Sequence, residues 1–137
     1  MTRVTVFAIA VTCAGALACS RAETTPLKEL QRAKSGDLTV VLLAANEALK
    51  PGKDTAMLEF RSGSDNHLVD VGAVKVAATM PMAGMAPMMG SMFVKAGDQA
   101  GRYSIDTDLS MAGTWQLAVE WNGPAGSGKT MMSGPVR

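Results

Sequence analysis

From residue 36 onward, short apolar runs alternate with turn residues, and inside the runs apolar and polar positions alternate with a period of two. That is the signature of half-buried β-strands. Residues 37–43 (DLTVVLL) predict a first strand, and Pro51-Gly52 a turn after it. Over residues 55–61, Leu58 and Phe60 face one way, and Met57, Glu59 and Arg61 the other. Residues 73–82 set Val74, Val76, Ala78 and Met80 against Lys75, Ala77 and Thr79. Residues 92–95 predict a short strand. Over residues 101–109, Tyr103, Ile105, Thr107 and Leu109 oppose Ser104, Asp106 and Asp108. The clearest alternation lies at residues 114–122, with Trp115, Leu117, Val119 and Trp121 inward and Gln116, Ala118 and Glu120 outward. Residues 130–136 predict a last, frayed strand. These segments sum to an all-β domain over residues 36–137, an immunoglobulin-like β-sandwich of about seven strands. No segment sustains a helical period.

The N-terminal third reads differently. Residues 1–18 carry Arg3 and then an uncharged, mostly apolar run over residues 4–17, ending in Ala16-Leu17-Ala18. A small-x-small site after such a run predicts a cleaved export signal. The run is shorter than the roughly 20 residues of a spanning helix. Cys19 follows the site at once, and Ala-Leu-Ala-Cys is similar to a bacterial lipobox. Two readings stay open: lipidation of Cys19, or ordinary cleavage that leaves a free thiol. Ser20 favours the outer membrane by analogy with Gram-negative lipoproteins. Residues 19–35 then form the lipidated N-terminus and a polar tether, with a short helix over residues 27–34 as an option. A helix that short is marginal alone.

Composition narrows the chemistry. The chain has 137 residues, net charge +1 and one histidine, His67. A near-neutral chain offers no basic footprint for nucleic acid, and one histidine excludes a multi-His metal site within one chain. Cys13 leaves with the signal, so the mature chain has no internal disulfide. Residues 123–130 match G-x-x-x-x-G-K-[ST] in full. A phosphate loop, however, must open a helix, and Gly134 and Pro135 follow too soon to allow one. A glycine-rich hairpin between the last two strands is the better reading, and no nucleotide is expected. Asp106 and Asp108 have no nucleophile or base beside them and read as a solvated face. No enzymatic constellation emerges.

The unusual feature is methionine, with 11 in the chain and six within residues 80–92. Proline and glycine break that segment, so it predicts a strand end and then a loop. Thioether sulfur is a soft neutral donor that suits Cu(I) over Zn²⁺ or Mg²⁺. Met82, Met85 and Met88 have the spacing to converge if the loop folds back, and Met89 and Met92 extend the set. Three readings stand side by side: a Cu(I) site, an adaptable protein-binding surface, and plain packing. Met80 shares a face with Val74 and Val76 and is assigned to packing. Met57 and Met111 read as packing or surface, and Met131 and Met132 have no assigned role. Asp65 and His67 lie in a loop and are possible further donors. Trp115 and Trp121 read as core, with a tryptophan cap over Cu(I) as a lesser option.

Several short motifs, in order, carry a resemblance. They are Pro51-Gly52-Lys53, the Met80-Pro81-Met82 turn, Gly101-Arg102-Tyr103, and Met111-Ala112-Gly113-Thr114-Trp115-Gln116-Leu117. Together they resemble the YtkA-like domain, a family related to the FixH proteins of respiratory-oxidase assembly, over about residues 38–136. The resemblance implies an immunoglobulin-like sandwich in an exported protein, sometimes attached to heavy-metal efflux adaptors, with no catalytic residues. Related sequences often carry a histidine near the methionine segment, and this chain has none there. Two functions follow as expectations: a periplasmic Cu(I)-handling module anchored through Cys19, or a metal-free module docking onto an efflux or oxidase-assembly complex.

Overall fold

The computed structural model describes residues 25–137. The proposed signal and Cys19 lie outside the described residues. The fold is all-β, with eight antiparallel strands: β1 (Lys28–Ser35), β2 (Leu38–Ala44), β3 (Gly52–Ser62), β4 (Ala73–Met80), β5 (Met88–Ala96), β6 (Arg102–Leu109), β7 (Gly113–Gly123) and β8 (Gly126–Val136). Their order across the sheet is β1-β2-β3-β6-β5-β4-β7-β8. The sheet curls until its two outer strands meet. Ser35 Oγ donates to the Lys129 carbonyl at 3.5 Å across that seam, and Leu49 N–H donates to Pro135 O at 3.2 Å.

Three expectations are corrected here. The second half of the predicted tether is a strand, since β1 pairs along β2 from Lys28↔Ala44 to Ser35↔Leu38. A register shift between Glu29 and Gln31 inserts one extra residue, so Leu30 and Ala33, three apart, both pack on the core. That spacing imitates a helical stripe, which explains the short-helix option. Second, β5 starts at Met88 rather than Met92, so the loop after β4 covers only residues 81–87. Third, β8 is not frayed: it pairs with β7 from Gly113↔Val136 to Gly123↔Gly126. The glycine-rich motif is therefore a two-residue hairpin turn, and its Lys129 sits in the ladder opposite Glu120.

The alternation of the long strands holds. Tyr103, Ile105, Thr107 and Leu109 are buried, as are Trp115, Leu117, Val119 and Trp121. Phe60 packs edge-on against Tyr103 at 5.5 Å and against Trp121 at 5.3 Å, the arrangement aromatic quadrupoles favour. The Tyr103 hydroxyl donates to the Gly72 carbonyl at 2.8 Å and ties the β3–β4 connection to β6. Outside the core, the buried Glu59 carboxylate accepts from Arg61 Nε at 2.8 Å and Arg102 Nε at 2.9 Å, so the charge is paired as burial requires.

The two layers of the expected sandwich are continuous through β5. Its first residues pair with β4 (Met80↔Met88, Thr79↔Met89, Ala78↔Gly90). From Ser91 to Ala96 it pairs with β6 instead. Below the handover β4 and β5 part, leaving an open groove lined by Val74, Val76, Met92, Phe93 and Lys95. Gly90 stands at the handover. A Cβ there would lie 2.4 Å from Leu109 Cδ2 and 3.0 Å from the Trp115 ring. Both neighbours are fully buried, so neither has room to give.

Gly90→Ala is therefore expected to cost about 1–3 kcal/mol through overpacking, read as a lower urea midpoint. Tyr103 is the one tyrosine of the chain. Burial, and secondarily the Asp70 carboxylate, raise its phenol above the ordinary value of 10.0. The unfolded chain ionises first as pH rises, so this contribution is intact below pH 10 and is lost as pH climbs through the folded value. A near-ultraviolet phenolate titration checks the shift. Tyr103→Phe, which strands the Gly72 carbonyl, should cost about 1–2 kcal/mol.

Candidate metal centre

The methionine segment sits at one end of the curled sheet. β4 delivers Met80 to that end and β5 leaves it with Met88, and the two face each other across the ladder. Between them the chain turns through residues 81–87, where Met85 N–H donates to the Met82 carbonyl at 3.3 Å. This local bond closes a turn within the loop. Met82 is half-buried, and Met85 is 64% exposed.

A second loop, residues 110–112 between β6 and β7, braces the first. Ser110 Oγ donates to the Met88 sulfur at 3.2 Å. Met80 Sδ lies only 2.8 Å from where a Cβ on Gly113 would stand. Gly113 has φ +151°, so the glycine supplies both the turn and the seat for that sulfur. Trp115 Nε1 donates to the Met111 carbonyl at 3.1 Å and pins the same loop from below.

The five methionines singled out by sequence divide accordingly. Met82, Met85 and Met88 share the loop and its base. Met89 points to the outer face of β5 and is 68% exposed. Met92 faces inward with Met88 and packs on the core. It lies four residues along the strand, roughly 13 Å from Met88 at 3.3 Å per residue. Met82 and Met85 thus lie in the loop and Met88 at its base, whereas Met89 faces outward and Met92 lies farther along the strand. Met80, assigned to packing, does pack on the core, yet its sulfur belongs to the same end. The signal was available: a seven-residue hairpin between residues 80 and 88 pairs those two methionines across the ladder. Met111 had no such local signal, because only the tertiary fold brings the β6–β7 loop alongside. Met132, without a role in the sequence, is a core residue at 3% exposure, whereas Met131 is 62% exposed.

The other proposed donors are elsewhere. His67 and Asp65 lie in the β3–β4 connection, at the opposite end of the strands. Spanning β4 alone is roughly 23 Å. His67 Nδ1 and Asp65 Oδ1 pair at 2.5 Å. That bond, and then one from Ser62, hold the Asp65 carboxyl below its usual value. Trp115 is fully buried and Trp121 nearly so, and both rings belong to the core cluster. Asp106 is paired with Lys95, and Asp108 is exposed. Among the described residues, no group of three or more His, Cys, Asp or Glu side chains converges. A metal at the methionine end would find thioethers and one hydroxyl, a donor set that fits a soft monovalent ion and not a hard divalent one.

Comparison with known proteins places the fold. A likeness appears to FetP of uropathogenic Escherichia coli strain F11, a structure of the protein as isolated after expression in the periplasm. It has a TM-score of 0.50 at 5% identity, covering 80% of this chain and 95% of that one. No curated protein matches the sequence. The YtkA-like family model matches residues 32–120, from within β1 to near the end of β7. That span takes in β4, the methionine loop and β5, and more than half the chain, and the protein belongs to the YtkA-like family.

Proposed function

We propose that this protein is an exported, lipid-anchored module that binds Cu(I) through Met82, Met85 and Met88 and hands it on, without catalysing a reaction. The observation that carries the reading is the methionine loop. The Met85–Met82 bond closes a turn that carries two thioethers, and the Ser110–Met88 contact holds a third at the base of the same loop, with no group of harder ligands competing among the described residues. A low-coordinate thioether site suits Cu(I) in an oxidising compartment, where thiols are lost to disulfides. The signal-like residues 1–18 and the lipobox-like Cys19 supply the export and the anchor. Neither nucleic acid nor nucleotide enters the reading, because the chain is nearly neutral and the phosphate-loop motif is a hairpin.

A second reading has its own observation. Met85 and Met89 are both more than half exposed, and large apolar side chains at the surface serve protein docking. On that reading the same end of the molecule, without metal, meets a heavy-metal efflux or oxidase-assembly protein.

An anaerobic competition with a chromophoric Cu(I) chelator separates the two. The domain from residue 25 onward is expected to take up one equivalent of Cu(I). The Met82/Met85/Met88→Leu triple variant, a roughly volume-conserving change, is expected to lose that uptake while keeping the wild-type unfolding free energy to within about 1.5 kcal/mol. Equal, negligible competition by both proteins removes the copper reading. For the anchor, full-length protein expressed with a labelled fatty acid should carry the label, and Cys19→Ala should not. Label retained in the variant, or absent from the parent, rejects lipidation at Cys19.

A further inference from the structure

The methionines of this protein differ sharply in access to solvent, and the difference falls within the proposed ligand set. Met85 stands 64% exposed, Met89 68% and Met131 62%. Met80, Met82, Met88 and Met92 are half-buried, and Met132 is 3% exposed. Thioether oxidation follows access to the sulfur. Met88 has a further protection, because the Ser110 hydroxyl donates to its sulfur and occupies a lone pair that an oxidant must meet. Met89 and Met131 lie on the exposed faces of β5 and β8, outside the loop. Among the described residues, Met85 is thus the one methionine of the loop group that is open to oxidant.

We infer that Met85 is an oxidation site that switches the metal site off. The oxidant is a hydroperoxide. The Met85 sulfur attacks the distal peroxide oxygen, an S–O bond forms, and the O–O bond breaks. The sulfur loses two electrons and becomes a sulfoxide. The peroxide is reduced to water, or to an alcohol if it is organic, the departing oxygen taking up the proton of the one transferred. The product presents a hard, polar oxygen where a soft sulfur stood, and its sulfur has one lone pair fewer. Cu(I) loses one of three donors. The modification stands on the geometry alone, whereas its consequence for the metal rests on the copper reading above.

The test uses hydrogen peroxide on the metal-free domain from residue 25 onward. Residue-resolved tandem mass spectrometry follows each sulfoxide, and Cu(I) affinity is measured before and after. Met85, Met89 and Met131 are expected to oxidise first, Met82 and Met88 several-fold more slowly, and Met132 last. Affinity is expected to fall about tenfold or more as Met85 is modified. A Met89→Leu/Met131→Leu double variant should retain that sensitivity. Met85→Leu, a surface-loop change that spares the fold, should start at the weakened affinity and show no further early loss. Oxidation of Met85 no faster than Met82 or Met88 overturns the proposal. So does an unchanged affinity once Met85 is a sulfoxide. If the unoxidised protein binds no Cu(I), the copper reading fails at the first measurement and the switch falls with it, while the order of oxidation still reports on Met85 as a modification site.

Discussion

The contact between the bare backbone of Gly90 and the Trp115 ring governs the rest of this molecule. β5 changes partners within one residue, from Ala78↔Gly90 on one side to Ser91↔Asp108 on the other. It does so over an indole that is fully buried. A side chain at this point would push the strand off the ring and Leu109. The two layers would then lose the strand that joins them. Because close-packed interiors transmit such displacements rather than absorb them, the position of Met88, two residues away, is set by the same contact.

The methionine end inherits that rigidity. Trp115 touches Gly90 with its ring and holds the Met111 carbonyl with its Nε1–H. One buried side chain therefore fixes both β5 and the β6–β7 loop. The loop in turn offers a hydroxyl to Met88 and a glycine seat to the Met80 sulfur. Flexible thioethers are usually poor at specifying geometry. Here their backbones are held on a ladder and two of the sulfurs are held by particular partners. The adaptable part of the site is confined to Met82 and Met85 in the loop.

Much of this was legible in the sequence, and the exceptions have physical causes. The alternation in β4, β6 and β7 named the inward residues directly, since one face of each strand meets the core. β1 was obscured because its irregular register puts core contacts three residues apart, a helical spacing. β5 was obscured at its start because Met-Met-Gly has neither the β-branched residues nor the bulk that mark strands. β8 was obscured because Gly126, Gly128 and Gly134 dilute its pattern, although one of them is needed by its neighbour: a Cβ at Gly128 would strike Trp121. At the candidate site, the Met82–Met85–Met88 spacing was visible as local sequence. The roles of Ser110, Met111 and Gly113 were not, because they depend on which loops the topology brings to one end. The opposite placement of His67 was hidden for the same reason.

The seam between β1 and β8 bears on a different property, the behaviour of many copies in a crowded space. A curled sheet that stopped short of closure would carry two long bare edges, each a template for pairing with another chain. Here those edges look at each other, with the Ser35–Lys129 contact across them and Leu49 bonded to both Pro135 and Arg137 at one end. A protein of net charge +1 has little electrostatic repulsion to keep its copies apart. Topology supplies a hindrance instead: among the described residues the two outer strands face each other, so a neighbouring copy has less room to extend either edge.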